Sequence, residues 1–349
     1  MDTKIFIMEE KNIQKDKIKE AAHIIGEGGI VAFPTETVYG LGANAFDEKA
    51  VKKIFLAKGR PSDNPLIVHV HDTNIENLVK EIPDIARRLM DKFFPGPLTL
   101  ILNKRNIIPD ITSAGLSTIG IRMPDNNIAL EFIKQCGVPI AAPSANISGR
   151  PSPTDVKRCI EDLQGKADGI LGGPSSKVGL ESTIVDCTVD PPCILRPGGI
   201  TIEQLKSIDS RIYMDEAIMK KPTEDLKPKA PGMKYRHYAP KAPVKIIEGN
   251  TQQTVAKIKE MMQNYIDDNK KVGILATEET KAYYDEGEVF SLGSLNHLED
   301  IAANLFEALR YFDDMEVDVI LAEGFEEKGI GVAIMNRLRK SSGFNIITV

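Results

Sequence analysis

Three short segments of the sequence combine residues that could bind a small polar ligand. The first runs from Ala32 to Gly42 and reads AFPTETVYGLG, so that two threonines, a glutamate and two glycines follow an apolar strand pattern. A plain connection between a strand and a helix needs no such density of hydroxyl and carboxylate groups. We therefore interpret this segment as a loop that contacts a ligand.

The second segment, KGRPSDNPLIVHV from Lys58 to Val70, could bind phosphate. Lys58 and Arg60 close a predicted helix, where cations also complement the helix dipole. The prolines that follow, together with Asn64, stiffen the loop and would hold the two cations in fixed positions. Phosphate recognition needs such cations, because arginine offers a planar fork and lysine a point charge.

The third segment, AAPSANISGRPSPT from Ala141 to Thr154, supplies hydroxyl and amide groups through Ser144, Asn146 and Ser152. Residues of these types also form ordinary Asx and Ser turns. The apolar strand before them, however, would deliver them to the same edge of a sheet as the PTET sequence of the first segment. We therefore keep them as candidate ligand contacts.

Four further polar residues stand beside predicted strands. Arg122 ends a strand before a proline, and strand ends of α/β sheets are where carboxylate ligands are clamped. His69 alternates with apolar neighbours, and a strand histidine by itself is more often structural. Ser182 begins a strand, and Arg196, which precedes a Pro-Gly-Gly sequence, could equally be a charge at the rim.

The sequence lacks the common nucleotide-binding and nucleophile motifs. GLGANA, from Gly40 to Ala45, matches the dinucleotide fingerprint only loosely, because TETVY separates it from the preceding strand. No GxxxxGK[ST] sequence, compelling Ser-His-Asp order or glycosidase-like pair of carboxylates is present. The cysteines have no CxxC spacing and are expected to be buried thiols. Chemistry here would depend on positioning and charge neutralisation, as in phosphoryl and nucleotidyl transfer.

Composition narrows the class of protein. A chain of 349 residues favours two domains, and 42% hydrophobic with 27% charged residues is ordinary for a globular protein. A net charge of −6 and the absence of tryptophan argue against a broadly basic nucleic-acid surface or a platform of stacked bases. No apolar run reaches the ~18 residues that span a bilayer, and no signal-peptide core is present. We therefore expect a cytoplasmic protein without membrane contact.

The order of elements predicts an α/β protein with two domains. Residues 1–208 alternate helices with apolar strands, which favours an open twisted mixed sheet with flanking helices. Recurrent prolines mark a linker over residues 209–243. Valine-rich strands in residues 244–349 predict a smaller Rossmann-like parallel α/β domain. Helices are expected at 16–27, 48–57, 85–94, 156–163 and 331–340, and strands at 30–33, 65–70, 98–102, 117–123, 138–142 and 182–186.

Eight pieces of the sequence, in order, resemble the two-domain form of the YrdC-like family. They are PTETVYGLG, KGRPSDNPLIVHV, FFPGPLTLIL, STIGIRMPD, APSANISGRPSP, GLESTIVD, LRPGG and APGMKYRHYAP. Together they span Ala32 to Pro240. The tail GIGVAIMNRLRKSSG resembles the end of that family's second domain.

The resemblance implies a nucleotidyltransferase that forms L-threonylcarbamoyladenylate and pyrophosphate from L-threonine, bicarbonate and ATP. It implies that the product passes to a tRNA threonylcarbamoyl transferase complex, for threonylcarbamoyladenosine modification of tRNA, and that weak contact with tRNA accompanies this step. Mg²⁺ is expected to arrive with the ATP, because no acidic metal cluster is legible in the sequence. The linker would fold over the active site and exclude water from a fragile mixed anhydride.

The same resemblance implies roles for matched positions. As the catalytic pair, Lys58 and Arg60 would stabilise charge on the departing pyrophosphate together with Mg²⁺. The residues around threonine would be Thr35, His69, Arg122, Ala142 and Ser182. The residues that hold ATP would be Arg60, Asn64, Thr118, Ser144, Asn146, Ser152, Arg196 and Tyr235.

Three other functions stay open at this point. A module for structured RNA would need a local basic concave face and would show salt-sensitive affinity. A carbamoyltransferase that uses carbamoyl phosphate would not depend on threonine. A regulatory ATP-binding protein would release no pyrophosphate.

Overall fold

The computed structural model describes residues 2–9, 13–221, 230–231 and 237–349 of the chain. The chain forms two compact units, the first made of residues 1–148 and 152–234 and the second of residues 149–151 and 235–349. The finer boundaries expected near residues 208 and 243 stay a prediction, because part of the proline-rich stretch between them lies outside the described residues.

A mixed sheet forms the frame of the first unit, as the sequence predicts. Its strands are β1 (Lys4–Ile7), β2 (Val31–Phe33), β3 (Gly40–Asn44), β4 (Ile67–His69), β5 (Leu98–Asn103), β6 (Thr118–Arg122), β7 (Ile140–Ala142), β8 (Gly169–Gly172), β9 (Thr183–Asp186), β10 (Cys193–Arg196) and β11 (Tyr213–Met214). In the described part of the chain they follow the order β1-β8-β2-β3-β7-β4-β6-β5-β9-β10-β11. β4 runs parallel to β6 and antiparallel to β7, which confirms the expected mixed sheet.

Helices flank this sheet, and local capping explains where they begin. They are α1 (Lys15–Gly26), α2 (Glu48–Lys58), α3 (Asp84–Phe93), α4 (Asn127–Cys136), α5 (Val156–Leu163) and α6 (Ile202–Lys206). α2 begins after Asp47, whose side chain accepts hydrogen bonds from the backbone N–H groups of Lys49 and Ala50. It ends at Gly59, where φ is 61°, a left-handed conformation that glycine adopts at low cost.

The two faces of the sheet are buried by different helices. On one face, α1 and α4 pack around Phe33 and Phe132 in one hydrophobic cluster. On the other face, Leu41 and Ile54 belong to the largest cluster of the unit, to which α2, α3 and α5 contribute. Burial of apolar side chains on both faces supplies the main stabilising free energy of this layered arrangement.

A third cluster covers the part of the sheet built from β4, β5 and β9. It contains Ile67, Ile101 and Ile184, together with Ala230 from the proline-rich stretch. Ile67 pairs in register with Ala142, so these side chains lie on the same side of the sheet as Phe33 and its cluster. We call this side the groove face, because the polar residues discussed below lie on it or next to it.

The segment from Ala32 to Gly42 is a loop only in its middle part. Residues 34–39 connect β2 to β3, but Gly40 and Gly42 belong to β3, which pairs antiparallel with β2. A Cβ atom at Gly42 would lie 2.9 Å from the ring of Phe33, so this glycine lets the ring pack against the strand. The expectation of a ligand-binding loop is therefore wrong for residues 40–42.

The second unit contains the predicted Rossmann-like parallel layer. Its strands are β12 (Val244–Glu248), β13 (Val272–Ala276), β14 (Glu288–Ser291), β15 (Val319–Glu323) and β16 (Ile346–Thr348), and its helices are α7 (Thr251–Asp267), α8 (Leu298–Asp314) and α9 (Gly331–Ser341). The strand order is β14-β13-β15-β12-β16, with every neighbouring pair parallel. Among all the residues that the structure describes, no helix is both long and apolar enough to cross a bilayer.

Candidate active site

His69 and Arg122 lie side by side on the groove face. The parallel pairing of β4 with β6 puts the two residues in register, and only 3% and 4% of their surfaces are exposed. Strand alternation puts Thr118 on the same face, but at the opposite end of β6, about 13 Å from Arg122 at a rise of ~3.3 Å per residue. The predicted site residues therefore extend along the strand and do not gather at its end.

Glu36, in the loop between β2 and β3, reaches Arg122. Its Oε2 lies 2.8 Å from Nη2 of Arg122, and only 6% of Glu36 is exposed. The contact lacks hydrogen-bond geometry, so both carboxylate oxygens of Glu36 and the Nε and Nη2 of Arg122 are buried without a hydrogen-bond partner in the described part of the chain. Buried polar atoms are almost always hydrogen-bonded, so this pair has unused capacity to bind a ligand.

Thr35 shapes the same loop. Its hydroxyl donates to the carbonyl of Val38 at 2.6 Å and accepts from the backbone N–H groups of Thr37 and Val38 at 3.2 Å. The hydroxyl of Ser176 donates to the carbonyl of Thr35 at 2.9 Å. Thr35 therefore holds the backbone on either side of Glu36 in place, and its predicted contact with threonine stays a prediction.

Lys58 joins the second and third polar segments. It is 1% exposed, and its Nζ donates to the carbonyl of Ser144 at 2.6 Å and to that of Asn146. The backbone N–H of Ser148 donates in return to the carbonyl of Lys58 at 2.9 Å. Ser144 also forms an isolated antiparallel bridge with Gly40, so all three segments singled out in the sequence meet here.

Two other predicted nucleotide contacts are held by their own surroundings. The guanidinium of Arg60 donates from Nη2 to two carbonyls of the loop that follows it, that of Asn64 at 3.4 Å and that of Pro65 at 3.3 Å. The hydroxyl of Ser152 donates to Oε1 of Glu181 at 2.6 Å. Arg60 is half-buried, whereas Asn64 and Ser152 are buried, so Arg60 is the most accessible of the three.

Ser182 is bonded from two sides. Its hydroxyl lies 2.7 Å from that of Thr99, and Arg196 donates to this hydroxyl from Nη2 and to the Ser182 carbonyl from Nε, both at 3.1 Å. Nη1 of Arg196 lies 3.4 Å from the carbonyl of Pro231. Arg196 is thus a buried link between Ser182 and the proline-rich stretch, and not the rim charge that the sequence alone allowed.

The surroundings of His69 favour its neutral form. Burial, and next the positive charge of Arg122, lower the pKa of His69 to about 3. Its Nδ1 lies 3.1 Å from the carbonyl of Ile67. Among the described residues, no group of three or more His, Cys, Asp or Glu side chains could hold a metal ion, and Cys136, Cys159, Cys187 and Cys193 are free thiols.

The structure therefore brings most of the predicted residues together in three groups, which are given at the end of this paragraph. Two of the groups also contain a residue that the sequence analysis did not single out, Glu36 in one and Thr99 in the other. Glu36 was noted only as the carboxylate of PTET, and Thr99 lies in an apolar strand that carries no polar motif. Thr118 stands apart at the far end of β6, and Tyr235 lies outside the described residues. The groups are Glu36, His69 and Arg122; Thr99, Ser182 and Arg196; and Lys58, Ser144 and Asn146.

Family models match nearly the whole chain. Residues 23–198 match the Sua5, YciO and YrdC model, which is described as "Telomere recombination". Residues 200–343 match the model described as "Threonylcarbamoyl-AMP synthase, C-terminal domain". The first match contains the site described above.

Curated relatives and solved structures agree with this match. The chain is 50% identical to a threonylcarbamoyl-AMP synthase of Pyrococcus abyssi, over 99% of both chains. It is 47% identical to a threonylcarbamoyl-AMP synthase of Bacillus subtilis, over 98% of this chain and 97% of the relative. A crystal structure of P. abyssi Sua5 complexed with L-threonine superposes with a TM-score of 0.94 at 50% identity, covering 99% of this chain and 100% of the other.

Proposed function

Because the chain belongs to the two-domain form of the Sua5, YciO and YrdC family, we propose that it catalyses the threonylcarbamoyl-AMP synthase reaction. In this reaction L-threonine, bicarbonate and ATP give L-threonylcarbamoyladenylate and pyrophosphate. The chain is then a nucleotidyltransferase with an amino acid and a nucleoside triphosphate as substrates.

The main structural support for this proposal is one edge of the Arg122 guanidinium, formed by Nε and Nη2. Nε and Nη2 point from the same edge, and such an edge matches the two oxygens of a carboxylate. Both atoms are buried and lack a hydrogen-bond partner in the described part of the chain. The carboxylate of an amino acid bound there would satisfy both donors. Thr99 on the neighbouring strand β5, and Ser182 beside Thr99, would be hydroxyl partners for the same ligand.

The reaction follows from two bond-forming steps. Threonine first loses a proton from its ammonium group. The uncharged amine then adds to carbon dioxide with loss of a second proton, or to bicarbonate with loss of water, and gives a carbamate. A carbamate oxygen then attacks the α-phosphorus of ATP, the bond from that phosphorus to its bridging oxygen breaks, and pyrophosphate leaves with the electron pair. We assign the stabilisation of that leaving charge to Lys58 and Arg60, and the holding of ATP to the predicted contacts around them.

Mg²⁺ belongs to this proposal as a companion of the ATP. It would neutralise phosphate charge when bound. The described residues offer no group of three or more His, Cys, Asp or Glu side chains to hold it, so these residues do not fit a resident metal ion and no step is assigned to one.

The wider setting is also part of the proposal. The product would pass to a tRNA threonylcarbamoyl transferase complex, with weak tRNA contact, in the cytoplasm. The linker over residues 209–243 would close over the pocket and keep water out. This closure is supported by Ala230, which is fully buried in the cluster on the groove face, and by the contact of Arg196 with Pro231.

Release of pyrophosphate tests the function. The full chain is incubated with ATP, Mg²⁺ and bicarbonate, and each amino acid is added in turn. We expect pyrophosphate only with threonine and close analogues, and label from γ-labelled ATP should leave in pyrophosphate. Label in inorganic phosphate, product from carbamoyl phosphate without threonine, or no release with any amino acid would contradict the proposal.

The side chain of the amino acid gives a second comparison. A pocket built to bond a hydroxyl rejects analogues that lack it, because its own polar groups are left unpaired. We expect alanine and 2-aminobutyrate to be poor substrates and serine to be intermediate. Equal kcat/KM for threonine and 2-aminobutyrate would show that no group of the chain recognises the hydroxyl.

A further inference from the structure

The candidate site contains a buried carboxylate, Glu36, and a buried guanidinium, Arg122, that face each other. Oε2 of Glu36 and Nη2 of Arg122 are 2.8 Å apart, and each side chain is about 95% buried. Two atoms of each group lack a hydrogen-bond partner in the described part of the chain. Leaving such groups unsatisfied is costly, so their geometry suits a ligand that bonds to both.

A free α-amino acid carries both complementary charges on one carbon atom. Its carboxylate matches the two-donor edge of Arg122, and its ammonium group, with three N–H donors, matches the two acceptor oxygens of Glu36. We propose that Glu36 binds the α-ammonium group of the substrate and so selects α-amino acids over acids that lack the amine. This role rests on the proposed function, and it makes Glu36 a specificity-determining residue of the same site.

Two other buried carboxylates of the first unit accept hydrogen bonds. Glu181 accepts from the hydroxyl of Ser152 at 2.6 Å, and Asp162 accepts from the backbone N–H of Ile147 at 3.2 Å. Glu36 differs from both because neither of its oxygens has a hydrogen-bond partner in the described residues. Its backbone, in contrast, is fixed, since its carbonyl accepts from the N–H of Val178 at 2.8 Å.

Binding would exchange partners without changing the net charge of the pocket. Without substrate, Glu36 and Arg122 neutralise each other. With a zwitterion bound, each of them faces the opposite end of the ligand, and both stay compensated. A ligand that carries only one of the two charges would separate Glu36 from Arg122 and compensate only one of them. The other would stay buried without an opposite charge, which is unfavourable.

Single-charge analogues test this on the unmodified full chain. Isothermal titration calorimetry compares L-threonine with 2,3-dihydroxybutyrate, in which a hydroxyl replaces the ammonium group, and with threoninol, which lacks the carboxylate. We expect both analogues to bind at least about 10-fold more weakly than threonine, as the loss of a charged hydrogen bond predicts. If dihydroxybutyrate binds as tightly as threonine, Glu36 does not read the ammonium group.

Variants locate the effect at Glu36. Glu36→Gln keeps the size of the side chain and removes its charge, so threonine should bind about 10- to 100-fold more weakly while dihydroxybutyrate is little affected. Glu36→Asp should restore part of the preference. The matched control is Glu20→Gln, because Glu20 lies on the surface of α1 in a pair with Lys4, and it should keep the wild-type preference.

The outcomes separate the two proposals. If the wild-type chain makes threonylcarbamoyladenylate and Glu36→Gln keeps the full preference for threonine over dihydroxybutyrate, the role of Glu36 is wrong and the function stands. If the wild-type chain neither binds threonine nor releases pyrophosphate, the proposed function is wrong. If Glu36→Gln does not fold, Glu36→Asp decides, because an undiminished preference for threonine over dihydroxybutyrate in that variant would contradict the role of Glu36.

Discussion

The hydroxyl of Thr99 lies 2.7 Å from the hydroxyl of Ser182, a residue 83 positions later in the sequence. The parallel pairing of β5 with β9, which aligns Leu98 with Thr183, brings the two together. Arg196 donates to Ser182 from the next strand. The hydroxyl of Ser182 is therefore held by side chains from two strands, Thr99 on β5 and Arg196 on β10. These bonds fix its orientation before a ligand binds.

Replacing Thr99 with valine should weaken threonine binding. Valine has the same shape but no hydroxyl, so Ser182 loses one partner at a cost of about 1 kcal/mol. We expect the KM for threonine to rise about fivefold and the KM for ATP to stay within twofold, measured by pyrophosphate release. Thr99→Ser, which restores the hydroxyl, is the control, and an unchanged KM in Thr99→Val would show that this bond has no role in binding.

Replacing Arg122 with lysine should show whether threonine binding needs only a positive charge or also the two-donor edge of the guanidinium. Lysine keeps the positive charge but loses the two-donor edge, so we expect threonine affinity to fall by about 10- to 100-fold, as for one or two charge-assisted hydrogen bonds. ATP affinity should change little. Arg87→Lys, at an exposed position on α3, serves as the control. An equal loss for both substrates would instead indicate a general collapse of the pocket.

Replacing Lys58 with methionine should destabilise the first unit. The ammonium group bonds to the carbonyls of Ser144 and Asn146, and the loss of such charged hydrogen bonds costs about 2 kcal/mol. Urea denaturation should show this decrease, together with a higher KM for ATP. The exposed Lys52, paired with Glu48, gives the control Lys52→Met. Unchanged stability in Lys58→Met would mean that Lys58 acts on the nucleotide alone.

His69 should make the chain less stable as the pH falls. Its pKa is about 3 in the folded chain and about 6.5 when unfolded, so between these values the unfolded state binds the extra proton. The free energy of unfolding therefore decreases as the pH falls through 6.5, and the decrease ends near pH 3.

The histidine contribution can be isolated by comparison with His69→Gln, which does not titrate. From pH 7 to pH 5 the wild-type chain should lose about 2 kcal/mol relative to the variant, at ~1.4 kcal/mol per pH unit below 6.5. Urea denaturation at each pH measures the difference. A constant difference over this range would mean that His69 has the same pKa in both states.

Replacing Ala230 with glutamate should impair closure of the pocket. Ala230 is completely buried on the groove face, and an unpaired charge there is unfavourable, so residues 230–231 should leave the sheet. We expect less threonylcarbamoyladenylate per ATP consumed, because water would reach the mixed anhydride. Lys221→Glu, at an exposed position, is the control. Equal product yield in both variants would contradict a covering role.

Much of the fold follows from local signals in the sequence. Asp47 and Asp155 cap the starts of two helices that the sequence predicts, and the valine-rich strands of the second unit form the predicted parallel sheet. α4 was not predicted, although Asn126 caps its start and Gly137 ends it. β1 and β8 were also not predicted, because short strands whose partners lie far along the chain leave little local pattern.

The sequence predicted which types of residue form the candidate site, but it did not predict which of them contact one another. The three polar segments do meet, as the bonds of Lys58 and the bridge between Gly40 and Ser144 show. The pairing of Glu36 with Arg122 depends on the path of a loop across the sheet and on the register of β4 with β6. Neither is encoded within a short window of sequence.

The pairing of β1 with β8 has a consequence for synthesis of the chain. The hydroxyl of Thr3 bonds to the carbonyl of Ala167, 164 residues later. At a translation rate of ~5–20 residues per second, β1 waits roughly 10–30 s for its partner to be made. A nascent chain therefore cannot place β1 at the edge of the sheet until β8 has been made.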